Sequence, residues 1–130
     1  MARAYTVATA ALALRVPAKW IDNTLSHFSV QGVSQARQGV SRKLSVDALT
    51  VLSIALSLIQ DLDTPVANAL EIATQLARSG GTLVLPLGMI LRVDLQKINT
   101  AILERLEHAV EIAPLPRRGR PPQKTTGRLD

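Results

Sequence analysis

The chain contains no cysteine. Disulfide bridges, thiolate metal centres and cysteine nucleophiles are therefore excluded, and a reducing compartment is compatible with the composition. Aromatic residues are almost as scarce, with one Phe, one Trp and one Tyr in 130 residues. Any core must be assembled from Ala, Leu, Ile and Val, which are plentiful. Long apolar runs are lacking too. The greasiest, "TLVLPLGMIL" (82–91), is too short to cross a bilayer and contains Pro86 and Gly88. The opening "MARAYTVATAALALRVPA" imitates a signal peptide only in outline, because its run Val7–Leu14 is rich in Ala and Thr and is stopped by Arg15. It reads as a helix of the domain. Together these absences predict a soluble, cytoplasmic chain with room for one domain and a tail.

Catalytic and metal-binding patterns are missing as well. His27 and His108 stand alone, without a second ligand at metal spacing. "RSGGTL" (78–83) lacks the Lys-Ser/Thr ending of a phosphate loop and the strand before it. No Ser/His/Asp grouping stands out, and Glu104, Glu107 and Glu111 read as the solvated side of a helix. The expectation is a protein without a cofactor, a metal, a small-molecule effector or an enzymatic activity.

What the chain does have is segregated charge. Residues 1–43 carry six basic side chains against Asp22 alone, residues 44–113 carry four basic against eight acidic, and residues 114–130 carry five basic against Asp130 alone. Basic, acidic, basic is the order expected of two ends that face a polyanion around a structural middle. Two ordinary solvated surfaces would give the same order.

Periodicity and punctuation divide the chain into helices and short strands. Thr6 caps a first helix, Val7–Leu14, with Ala8, Ala11 and Leu12 as its apolar face. After the tight turn "RVP", Pro17 opens a second helix, Pro17–His27, because its missing N–H is not needed there. Ile21 and Leu25 point inward, so Lys19, Trp20, Asn23 and Ser26 project outward. A glycine-punctuated stretch follows, in which Val30, Val33 and Val40 pair across a short hairpin. Ser45 caps a third helix, Val46–Asp61. Thr64 caps a fourth, Pro65–Arg78, which Gly80 and Gly81 stop. Two short strands around Leu87-Gly88 come next. Asp94 then caps a last helix, Leu95–Ile112, with its stripe at Leu95, Ile98, Ile102, Leu106, Ala109 and Val110. The third helix is apolar on nearly every side, with one stripe at Leu49, Leu52, Leu56 and Ile59 and a second at Val51, Ile54 and Leu58. A domain of this size can hardly cover both stripes, so a subunit interface is expected there. The fold class expected is mainly α with a small β component.

The order helix, tight turn, helix, hairpin, helix, short turn, helix is a winged helix-turn-helix plan. Residues 5–78 resemble the DNA-binding domain of the MerR family. The likeness rests on Tyr5-Thr6-Val7 at the start, Val16 before the second helix, Arg42 and Lys43 before Leu44-Ser45 at the basic end of the wing, and "DALTVLSIALSLIQDLDTPVANALEIA" (47–73) as the two helices after it. It implies the fold and general binding of double-stranded DNA. It does not extend to metal or drug sensing, since no cysteine and no sensor following a long coiled-coil helix is present. On this reading Lys19 reaches a phosphate or a guanine, Asn23 pairs bidentately with adenine, and Trp20 packs on sugar or a thymine methyl. Arg37, Arg42 and Lys43 neutralise backbone charge. Trp20 can instead cap the core, and each of the others can be a solvated side chain.

The tail, from Pro114 on, has the composition of a disordered segment. Within 116–122, Arg118-Gly119-Arg120-Pro121 resembles an AT-hook, in which glycine lets the backbone lie on the floor of a narrow A·T minor groove and the arginines extend along it. Three segments result: 1–81 as the DNA-binding domain, 82–113 as a hairpin-helix dimerisation or interaction unit, and 114–130 as the basic tail. The expectation is a homodimeric, nucleoid-associated regulator of transcription with duplex DNA as partner and no membrane contact. A protein-interaction module, such as an antitoxin or a phage-type accessory protein with secondary DNA binding, and an RNA-binding accessory protein are the alternatives.

Overall fold

The computed structural model describes residues 3–35 and 40–112. It is mainly helical with two small antiparallel sheets. In chain order the elements are β1 (Ala4–Thr6), α1 (Val7–Leu14), α2 (Ala18–His27), β2 (Val33–Ser34), β3 (Lys43–Ser45), α3 (Val46–Leu62), α4 (Val66–Arg78), β4 (Thr82–Val84), β5 (Ile90–Arg92) and α5 (Leu95–Ile112). Among the described residues no helix is long and apolar enough to cross a membrane. Arg37 and the whole tail, Arg118-Gly119-Arg120-Pro121 included, lie outside the described residues.

Local signals set most of the boundaries. The Thr6 hydroxyl accepts from the Thr9 backbone N–H at 3.2 Å and starts α1, and the Ser45 hydroxyl does the same for the Ala48 N–H at 3.2 Å and starts α3. The Asp94 carboxylate accepts from the Lys97 N–H at 3.0 Å at the head of α5. Each such cap satisfies a donor that the first helical turn leaves unpaired. Pro17 is the cap position of α2 rather than its first helical residue. Thr64 is not the cap of α4. That position belongs to Pro65, without a side-chain bond, and the Thr64 N–H is already committed to the Leu58 carbonyl at 3.1 Å, closing α3.

The three-stranded sheet has the order β1-β3-β2. Tyr5 faces Leu44 across one side of β3 and Val33 faces Leu44 across the other. Val40 is therefore not the partner of Val33, and Val30 lies buried in the turn before β2. The sheet is closed by residues from the start of the chain. Gly32 fits under it with φ +93°, its carbonyl accepting from the Ser45 N–H at 2.9 Å. A Cβ at that position would overlap the Ser45 hydroxyl that caps α3.

The core is aliphatic and continuous. Ile21, Leu44, Leu49, Leu52, Leu76 and Leu106 are its largest fully buried side chains. α3 runs through its middle, packed by α4 and by α5. Both of its apolar stripes are buried within one chain from Ala48 to Leu56 apart from half-buried Ser53. Along this stretch α4 and α5 supply the cover within one chain, whereas Leu58 and Ile59 are half-buried and Leu62 is exposed. α1 lies between α2 and α5 and buries Ala10, Ala11, Ala13 and Leu14. Leu12, expected on the apolar face, is 43% exposed. A short helix covered on two sides exposes the remaining strip, and Leu12 is on it. Ile102, Leu106 and Ala109 of α5 belong to the same core as the N-terminal helices, so no break in packing falls between residues 81 and 82.

Candidate nucleic-acid interface

α2 is the amphipathic helix of the N-terminal half. It turns Ile21 and Thr24 into the core, while Leu25 is half-buried. Its N-terminal turn starts right after a left-handed Arg15 (φ 60°) and Pro17, which fold α2 back against α1. The opposite face carries Lys19, Asp22, Asn23 and Ser26, all exposed. Among the described residues the Asn23 side chain has no hydrogen-bond partner, while its backbone carbonyl accepts from His27 Nδ1 at 2.8 Å. Trp20 is half-buried and packed against the core.

The strand side of this surface is fastened to α2. Arg42 donates through Nη1 to Asp22 Oδ1 at 3.3 Å and through Nη2 to Ser26 Oγ at 3.3 Å. Ser26 in turn donates to the Asp22 carbonyl at 2.7 Å. The pair Arg42–Asp22 is the only ion pair among the described residues, with side-chain exposures of 22% and 52%. It has two consequences. The carboxylate that would repel a phosphate is neutralised within the protein. The Arg42 guanidinium, read from sequence as a free phosphate contact, spends two of its donors on α2 instead. Lys43 follows directly in β3, exposed, opposite Thr6 on one side and Ser34 on the other. Both partners of the clasp were visible in sequence. Their contact was not, since they are 20 residues apart and belong to different elements.

The remaining cations lie elsewhere. Arg3 stacks over the Tyr5 ring at 5.3 Å, and with Glu107, Leu103 and Val110 it lines a hollow against α5. Arg15 faces Glu104 and His108 across another. These two therefore sit beside acidic residues of α5 and not on the α2 surface. Arg78, at the end of α4, donates to Gln31 Oε1 at 3.4 Å, at the mouth of a crevice of about 250 Å³ that also holds Asp47 and Asn99. Among the described residues no group of three or more His, Asp or Glu side chains is placed to hold a metal ion.

No family model matches the chain, and neither a curated protein nor a solved structure matches it.

Proposed function

We propose that the chain is a winged helix-turn-helix protein that binds double-stranded DNA and acts as a small regulator of transcription or an organiser of the nucleoid. α2 is the recognition helix, and the β2–β3 pair belongs to the wing. The observation that carries this reading is the clasp of Arg42 on Asp22 and Ser26. It holds the strand bearing Lys43 beside a helix whose polar face, Lys19 and Asn23, is free of the core. A helix presented in this way fits the major groove, where Asn23 meets base edges, while Lys19 and Lys43 meet phosphates. The Arg118-Gly119-Arg120-Pro121 tail adds a minor-groove contact on A·T-rich duplex. Its support is its sequence alone.

The test is fluorescence anisotropy of the full chain on a panel of duplexes of one length and different sequence across a salt series. Lys19→Ala and Lys43→Ala each weaken binding on every sequence and flatten its salt dependence by up to about 0.9 in the log–log slope. Asn23→Ala changes sequence preference instead. No binding at low salt, or binding indifferent to all three changes, overturns the reading. The protein-interaction alternative is favoured by one observation, a hairpin at 82–92 whose outer face leaves Val84, Leu87, Met89 and Ile90 exposed. It is compatible with DNA binding, because the hairpin and α2 are separate surfaces.

A further inference from the structure

The β4–β5 hairpin is two-stranded and apolar on both faces. Leu83 and Leu91, paired across it, pack against the core. The other face pairs Val84 with Ile90 and Thr82 with Arg92. Val84 is 66% exposed, Ile90 57%, and the tip residues Leu87 and Met89 are 97% and 62% exposed. Four large aliphatic side chains on one short arm form the kind of contiguous patch that soluble monomers rarely leave in water. Beside it, between the C-terminal half of α3 and the start of α5, is a groove of about 300 Å³ lined by Ile54, Leu58, Leu62, Val93 and Ile98. Val93 follows β5 directly, so arm and groove adjoin. The groove has an acidic rim. Asp61 lines it, Asp63 ends α3 in a left-handed conformation, and the last turn of α3 carries no basic residue. A helix C-terminus is itself negative, so this rim invites a cation.

We propose that the occupant of this groove is the hairpin of a second copy of the chain, in a reciprocal two-fold exchange. Each copy carries both the apolar arm and the apolar groove, which is the self-complementarity that an isologous dimer requires. The charges match as well. Arg92 lies on the same arm face as Ile90, and docking that face brings it to the partner's Asp61 and Asp63. The arm's outward face carries no carboxylate to oppose that rim, and the exchange covers the bare side of both hairpins at once. This inference stands apart from DNA binding.

Sedimentation velocity of the full chain without DNA tests it. At micromolar concentration the chain sediments as a dimer of its 14.0 kDa mass. Leu87→Asp with Ile90→Asp gives a folded monomer, with far-UV circular dichroism unchanged because both residues lie in solvent. Arg92→Glu alone and Asp61→Arg alone each weaken the dimer at least about tenfold through like charges at the contact. An equimolar mixture of these two variants restores it, because one of its arm–groove pairs is Glu on Arg and the other is the native Arg on Asp. A wild-type chain that stays monomeric overturns the proposal. So does a dimer that survives the arm substitutions and is lost on Leu103→Asp, which would place the contact on α5. Variants that fail to recover on mixing overturn the reciprocal geometry.

Discussion

α3 and the β4–β5 hairpin are alike in composition and opposite in fate. Both are dominated by aliphatic residues. From Ala48 to Leu56, α3 is covered on nearly all sides by α4, α5 and α1, and Leu49 and Leu52 lie wholly inside. The hairpin is covered on one face only, and Leu87 at its tip is almost fully in solvent. The comparison separates two quantities that hydropathy merges, namely how much apolar surface a segment has and whether its own chain supplies the cover. Only the second distinguishes a core from an interface.

The largest effect that tests this contrast is a truncation in each region. Leu52→Ala leaves a cavity in a packed core and should cost about 2–5 kcal/mol of unfolding free energy, whereas Leu87→Ala should lie within about 0.5 kcal/mol at dilutions where the chain is monomeric. Urea denaturation reads both. At higher concentration the wild-type midpoint temperature should rise with protein concentration, as it does when folding is linked to association, and the Leu87 variant should rise less. Equal losses at the two leucines would remove the distinction.

Glycines sharpen the same contrast. Gly32 and Gly88 have nearly the same positive φ, +93° and +94°. Substitution of Gly32 by Ala adds a methyl against the Ser45 hydroxyl and the head of α3, whereas at Gly88 nothing lies within 4 Å. Gly32→Ala should therefore lose both the backbone term and the cap, about 2–4 kcal/mol together. Gly88→Ala should lose the backbone term alone, about 1 kcal/mol. Ser45→Ala isolates the cap at about 1 kcal/mol. Thermal melts of the three variants give the order directly.

Those positions also show what sequence could and could not reveal. Helix starts were legible, because Thr6, Ser45 and Asp94 act within three residues of themselves. The two strands around Leu87-Gly88 were legible for the same reason. β1 was not. A three-residue strand has no periodicity of its own, and it exists because Ala4–Thr6 pairs with Lys43–Ser45 some forty residues later. The cover over α3 was hidden in the same way. Its two stripes could be counted, but no local signal says that α5 returns to meet one of them. On the candidate interface the residue types Lys19, Asn23 and Lys43 were visible on an exposed face. The commitment of Arg42 to Asp22 was not, since it depends on the approach of two elements.

The smallest effect predicted concerns that clasp, which belongs to the α2 surface and not to the hairpin. The ion pair is partly solvated, so Asp22→Asn should change stability by no more than about 1 kcal/mol. It leaves Arg42 an oxygen acceptor at position 22 and removes one negative charge from the α2 surface, which should tighten binding to any duplex and steepen the salt dependence by up to about 0.9. Sedimentation without DNA should match that of the wild type. A loss of DNA affinity would mean that the charge of the clasp, and not its hydrogen bonds alone, holds the Lys43 strand beside α2.

The packing of α1 against α5 has a consequence for biosynthesis. The first helix of the domain is covered by the last, and Ala10 and Ala13 share a core with Ile102 and Leu106. At translation rates of about 5–20 residues per second, the intervening stretch of roughly 90 residues takes about 5–20 s to be made. Throughout that interval the face of α1 that packs on α5 has no cover. The α2 surface proposed for DNA rests on α1 and therefore matures only after α5 has been made, so a truncated chain ending before α5 should bind duplex DNA more weakly than the full chain, as anisotropy would show.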